Sequence, residues 1–135
     1  MVMAEQNGSG DSDALVFVYG SLKRGMANHG QLGQATCLGR CVLHGLALYD
    51  LGPFPMAVAC NDAEAVLHGE LYRLSSSQLA ALDRFEGAPR LYERQRWPLA
   101  DGRCCWVYVG RSRQVRHVAR LPCGCWSGPR TDRRH

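Results

Sequence analysis

The chain has 135 residues, 46% of them apolar and 21% charged, with a formal net charge of +4. That length supports one hydrophobic core but not two ordinary domains, and no run approaches the roughly 20 apolar residues of a membrane-spanning helix. The charge is uneven: residues 1–101 carry 8 basic and 11 acidic side chains, residues 102–135 carry 8 and 1. The basic end, with Arg111, Arg113, Arg116, Arg120, Arg130, Arg133 and Arg134, lacks interleaved aromatics or a reading motif for nucleic acid. It reads as a solvated face, and neither a nucleic-acid nor a membrane partner is expected.

Residues 1–13 include Gly8, Ser9, Gly10, Asp11, Ser12 and Asp13 and no apolar run, so they lack the core of a secretory signal and are expected to be disordered. Seven cysteines, an odd number without an export signal, favour reduced thiols and a soluble, cytoplasmic protein. None of their spacings makes the paired Cys-x-x-Cys knuckles of a structural zinc site, and no metal is expected.

Leu15, Val16, Phe17 and Val18 form an apolar run suited to a strand covered on both faces. It breaks at Tyr19-Gly20-Ser21-Leu22. Glycine between a buried strand and a polar segment lets backbone N–H groups approach a small anionic or carbonyl oxygen; an ordinary strand-to-loop turn is the alternative. After a Gly-punctuated stretch around Asn28, His29 and Gly30, strands are expected over Cys37–Leu43 and Leu46–Tyr49, with a bend at His44 and Gly45. Residues 50–55 hold two prolines and a glycine and must be a loop, in which Phe54 is placed to wall a pocket. Shorter and longer strands follow over Met56–Cys60 and Ala65–Leu74.

The clearest helix begins at Ser75. Ser75 and Gln78 have capping-box spacing, and Leu74 and Leu79 that of a hydrophobic staple. Leu79, Leu82 and Phe85 define the expected buried stripe, and Gly87 followed by Pro89 ends the helix. Glu86 shares the inward phase of Leu79, seven residues earlier. An acid there loses water and faces the negative end of the helix dipole, and both effects raise its pKa toward the range of a general base. An ion pair with Arg90 or Arg94 is the structural alternative. Leu91–Leu99 alternates, with Tyr92, Arg94 and Arg96 on one face, and Asp101-Gly102 turns it into Cys104–Val109, of which Cys104 and Cys105 should face opposite sides. Many short strands around one clear helix indicate an α+β domain with a bent or closed sheet, spanning residues 14–126 and followed by a disordered basic tail, 127–135.

Tyr19-Gly20-Ser21-Leu22 after a hydrophobic strand, Val66 through Gly69-Glu70-Leu71-Tyr72, Leu82-Asp83 followed by Phe85-Glu86-Gly87, then Tyr92 and Arg94, resemble the γ-glutamylcyclotransferase-like family in order and spacing, from about Leu15 to Trp126. Cys123-Gly124-Cys125-Trp126 stands where relatives often have Ser-Gly-Asp-Trp. The resemblance implies a small mixed, mostly antiparallel β-barrel with flanking helices. It implies a pocket in which the Tyr19-Gly20-Ser21-Leu22 loop holds the substrate and Glu86 is the catalytic acid/base, and Phe54 and Tyr92 are expected to complete the substrate-binding set. The implied reaction is attack of the α-amine of a γ-glutamyl compound on its own γ-carbonyl, releasing 5-oxoproline and an amine or amino acid, without metal or organic cofactor. A non-catalytic member that keeps the pocket and binds a small ligand is the second reading. The leaving group and the oligomeric state are not specified by the sequence.

Overall fold

The structure, a computed structural model, describes residues 13–128. Of the segments expected to be disordered, 1–13 and 127–135, residues 1–12 and 129–135 lie outside the described residues, and Arg130, Arg133 and Arg134 with them. The elements in chain order are β1 (Ala14–Val18), a 3-10 turn (His29–Leu32), β2 (Thr36–His44), β3 (Leu46–Asp50), β4 (Pro55–Ala59), β5 (Val66–Leu74), α1 (Ser76–Glu86), β6 (Glu93–Pro98), β7 (Cys104–Val109), a second 3-10 turn (Ser112–Val115) and β8 (Arg120–Leu121).

The apolar run at the start becomes the central strand of a five-stranded sheet of order β2-β5-β1-β7-β6. β1 pairs antiparallel with β5, Val18 opposite Glu70, and parallel with β7, Phe17 opposite Val107. Central position explains the unbroken apolar pattern, since side chains on both faces need cover. Phe17 enters one core cluster with Leu43, Leu67, Val107 and Trp126, whereas Val16 and Val18 enter another with Tyr72, Leu82, Tyr92 and Tyr108.

A second sheet has the order β4-β3-β8. Between β2 and β3 the chain bends at Gly45, whose φ of +83° is a left-handed value that a residue with Cβ adopts reluctantly. The bend carries the chain from one sheet to the other. Among the described residues the strand ladders form two mostly antiparallel sheets, and the expected closed barrel is not found. The two sheets meet at single bonds such as Gly110 N donating to Ala57 O at 2.8 Å. Among the described residues no helix is long and apolar enough to cross a membrane.

The helix starts as its sequence dictates. Ser75 N donates to Gln78 Oε1 at 2.7 Å and Gln78 N donates to Ser75 Oγ at 3.2 Å, the reciprocal capping box. It ends at Gly87 with φ 69° and ψ 33°, the left-handed cap, whose N–H reaches the carbonyls of Asp83 and Arg84. The expected stripe needs correction at one end. Leu82 is buried and Leu79 partly so, but Phe85 is 40% exposed. The last turn of α1 borders a cavity instead of packing flat on the sheet, so its outermost apolar side chain meets open space. Cys105 is buried and Cys104 exposed, as the alternation requires, and Arg94 and Arg96 share a face over the Trp106 ring, at 4.3 and 5.3 Å from its centroid.

Candidate active site

All seven site residues expected from the sequence, Tyr19, Gly20, Ser21, Leu22, Phe54, Glu86 and Tyr92, line one cavity of about 160 Å³. Three elements bring them there: the turn after β1, the loop before β4, and the segment running from the end of α1 into β6.

The turn after β1 is fixed through its carbonyls. Lys23 N donates to Gly20 O at 3.0 Å, Asn28 N to Ser21 O at 2.9 Å, and His29 Nδ1 lies 2.9 Å from Leu22 O. Asn28 Nδ2 also donates to Ser21 Oγ at 2.9 Å. The N–H groups of Gly20, Ser21 and Leu22, by contrast, donate to no other described residue. Three successive amides beside a cavity, with their carbonyls already occupied, form a seat for an oxygen acceptor. Gly20 is required for packing and not for a left-handed backbone: a Cβ there would sit 2.8 Å from Pro55 Cγ.

The two tyrosines are committed to the scaffold through their hydroxyls. Tyr19 Oη donates to Tyr108 O at 2.6 Å and accepts from Ala57 N at 3.0 Å, which ties β1 to both neighbouring layers. Tyr92 Oη donates to Pro55 O at 2.7 Å, and its ring lies tilted against Phe54 with centroids 6.4 Å apart. Burial raises the Tyr19 and Tyr92 hydroxyls far above the ordinary phenol range, and the Glu86 charge adds to both. They remain protonated and present ring faces and edges to the cavity.

Glu86 differs from its neighbours. Its carboxylate is half-buried at the cavity wall and has no hydrogen bond or ion pair with any described residue, and burial pushes it up to about 7. The alternative of an ion pair with Arg94 or Arg90 is excluded by geometry. Arg94 Nε instead meets Asp83 Oδ1 at 2.9 Å, and that same oxygen accepts from Tyr108 Oη at 2.6 Å. An unpaired acid that retains a proton near neutrality is a candidate for proton transfer.

Asn28 and Tyr108 also line the cavity and were missed. Asn28 stood out in the sequence only as a polar residue in a Gly-punctuated stretch, and the signal that finds it is its pair of hydrogen bonds to Ser21, from the backbone N to Ser21 O and from Nδ2 to Ser21 Oγ. Tyr108 lies inside an apolar strand, where sequence alone reads it as core. Among the described residues no cluster of three or more His, Cys, Asp or Glu forms a metal site.

The family model described as gamma-glutamyl cyclotransferase, AIG2-like, matches residues 16–128. The chain belongs to this family. It is 34% identical over 111 residues to the gamma-glutamylcyclotransferase family protein YtfP of Escherichia coli K12, covering 82% of this chain and 94% of that one. It is 36% identical over 96 residues to the human gamma-glutamylaminecyclotransferase, covering 60% of this chain and 58% of the human one. The crystal structure of an AIG2-like protein from mouse superposes with a TM-score of 0.73 at 26% identity, covering 89% and 93% of the two chains.

Within this gamma-glutamyl cyclotransferase family frame, the Cys123-Gly124-Cys125-Trp126 block has a structural place. Neither cysteine lines the cavity; both are exposed. Gly124 O accepts from His68 N at 2.8 Å, and Trp126, 2% exposed, fills the core while its carbonyl accepts from Lys23 Nζ at 2.7 Å. The block thus pins residues 124–126 to β5 and to the turn that carries Ser21 and Leu22.

Proposed function

We propose that the protein is a γ-glutamyl cyclotransferase that closes the α-amine of a γ-glutamyl compound onto its γ-carbonyl. The observation that carries this reading is the pairing, around one cavity, of the Glu86 carboxylate with three successive backbone amides, none of which has a hydrogen-bond partner among the described residues.

In this mechanism Glu86 takes a proton from the substrate's α-ammonium. The freed nitrogen forms a bond to the γ-carbonyl carbon, the carbonyl electrons move onto oxygen, and the N–H groups of Gly20, Ser21 and Leu22 hold that oxyanion. Collapse reforms the carbonyl and breaks the bond to the leaving nitrogen, which receives the proton held by Glu86, and the ring nitrogen then gives up its second proton through the same carboxylate, so that the lactam is neutral and the amine departs as an ammonium. The products are 5-oxoproline and an amine or amino acid. Magnitudes favour a raised Glu. Each unit by which the carboxyl approaches the ammonium removes about 1.4 kcal/mol from the cost of proton transfer, so the rise of Glu86 from 4.5 to about 7 removes about 3–4 kcal/mol. The nucleophile is part of the substrate, so the cavity mainly has to fold it. Orientation of that kind contributes on the order of 7–11 kcal/mol in ideal intramolecular cases, and the Phe54 and Tyr92 rings supply the walls.

A panel of γ-glutamyl amino acids, peptides and amines, assayed for 5-oxoproline, tests the proposal. Turnover of at least one class supports it. Binding of γ-glutamyl compounds without 5-oxoproline would instead make the protein a ligand-binding member of the family.

A further inference from the structure

Just beyond Glu86 the surface has a shallow, open groove lined by Gly87, Arg90 and Leu91. Leu91 also lines the cavity, so groove and cavity share a wall. The backbone of this turn is held from below by the second 3-10 turn. Arg111 Nη2 donates to Pro89 O at 2.7 Å, Arg111 Nη1 to Arg90 O at 3.0 Å and Gln114 Nε2 to Leu91 O at 2.9 Å, with Arg111 itself anchored on Glu93 at 2.9 Å.

The side chains of the same turn are left to solvent. Leu91 is 42% exposed, Phe85 in the last turn of α1 is 40% exposed, and the Arg90 guanidinium makes no hydrogen bond or ion pair with any described residue. Its neighbours are committed: Arg94 to Asp83, Arg111 to Glu93 and two carbonyls. A rigid backbone that presents one unpaired cation beside two apolar surfaces, at the mouth of a cavity, suits a ligand group with an apolar stem and a carboxylate end.

We propose that the Gly87–Leu91 turn is the leaving-group subsite and that Arg90 is a specificity-determining residue, binding the carboxylate of a departing apolar amino acid. This rests on the cyclotransferase reading, because the leaving nitrogen must lie beside Glu86, and Gly87 and the groove begin at the next residue. Arg90 selects γ-glutamyl derivatives of apolar amino acids over γ-glutamylamines of the same shape. It touches neither the nucleophile nor the reacting carbonyl, so its effect falls on KM and leaves the chemical step alone.

The test uses two probes that differ only in that carboxylate, γ-glutamyl-leucine and γ-glutamyl-isoamylamine, with the full chain and its Arg90→Gln, Arg90→Lys and Arg90→Glu variants. An ion pair at a partly exposed site gives a modest, salt-screened preference. The wild type is expected to favour the leucine compound by about 3–10-fold in kcat/KM at low salt. Arg90→Gln should raise KM for that substrate alone, Arg90→Glu should raise it further, Arg90→Lys should retain most of the preference, and kcat and melting temperature should stay unchanged. 5-Oxoproline formed equally from both substrates, or equal losses on both in Arg90→Glu, overturns the subsite and leaves the reaction standing. No 5-oxoproline from either, or from any member of the wider panel, overturns both.

Discussion

Asp83 and Glu86 stand three residues apart on α1 and have opposite surroundings: Asp83 Oδ1 pairs with Arg94 at 2.9 Å and accepts from Tyr108 at 2.6 Å, while Glu86 has no polar partner among the described residues. Two acids on one helical turn are thereby given separate roles. Asp83 joins the helix to β6 and β7, and its charge is balanced by Arg94, which leaves that arginine unavailable to Glu86. Burial alone then sets Glu86 at about 7.

This separation fixes a pH dependence. Glu86 must be deprotonated to accept the ammonium proton, so kcat should rise with pH through a limb near 7. A limb near 4.5 would mean that the carboxylate is solvated in the working enzyme. The stability effect has the reverse sign. The folded state raises this carboxyl from 4.5 to about 7, so the folded form binds its proton more tightly than the unfolded form does. The contribution is full below 4.5 and is lost as pH rises through about 7.

Glu86→Gln keeps the shape and removes the base. It should lower kcat by about 10²–10⁴-fold with a far smaller change in ligand affinity. Because a neutral amide carries no desolvated charge, the variant should also gain stability above pH 7, on the order of 1–3 kcal/mol at one unit of pKa per 1.4 kcal/mol. Single-turnover rates and melting temperatures on one preparation check both. A destabilised but fully active variant would return Glu86 to a structural role.

The parts of this site that were legible in the sequence were those set by local rules. The apolar run before Tyr19 implied a central strand, Ser75 and Gln78 fixed the helix start, Gly87 fixed its end, and the phase of Glu86 placed an acid on the inner side. What was not legible depends on contacts between distant segments. That the Tyr19 hydroxyl is consumed by Ala57 and Tyr108, and that Arg94 chooses Asp83, follows from strand register across residues far apart in the chain. The exposure of Phe85 was missed because periodicity gives the phase of a helix and not where the partner surface stops. The division of the strands into two sheets, with the chain passing from one to the other at Gly45, was not legible because it depends on ladder pairing between distant segments.

Gly20 offers a test of the turn. Its Cβ position lies 2.8 Å from Pro55 Cγ, so Gly20→Val must push the turn or the Phe54–Pro55 loop aside. The three free amides should then lose their alignment, with kcat/KM for any γ-glutamyl substrate falling by at least about tenfold, since misplacing one oxyanion donor typically costs 10²–10³ in rate. Gly20→Ala should give a smaller loss in the same direction. A Gly20→Val protein that folds and turns over normally would remove this turn from the site.

Tyr19→Phe separates the scaffold role of the expected binding residues from a catalytic one. The ring is 6% exposed and lines the cavity, but its hydroxyl donates to Tyr108 O at 2.6 Å and accepts from Ala57 N at 3.0 Å. Removing it leaves a buried backbone donor and a buried acceptor unpaired, at a cost of about 1–3 kcal/mol each where water cannot enter. Melting temperature should fall by roughly 6–20 °C, taking the two losses together at about 3–4 °C per kcal/mol for a chain of this size. Because the ring face is retained and the phenol stays protonated in the folded protein, kcat of the folded fraction should remain within about threefold of wild type. Thermal melts and steady-state rates measured well below the transition report the two effects separately. A stable Tyr19→Phe with a kcat lowered a hundredfold would show that the hydroxyl acts on the substrate and that its two backbone partners are dispensable.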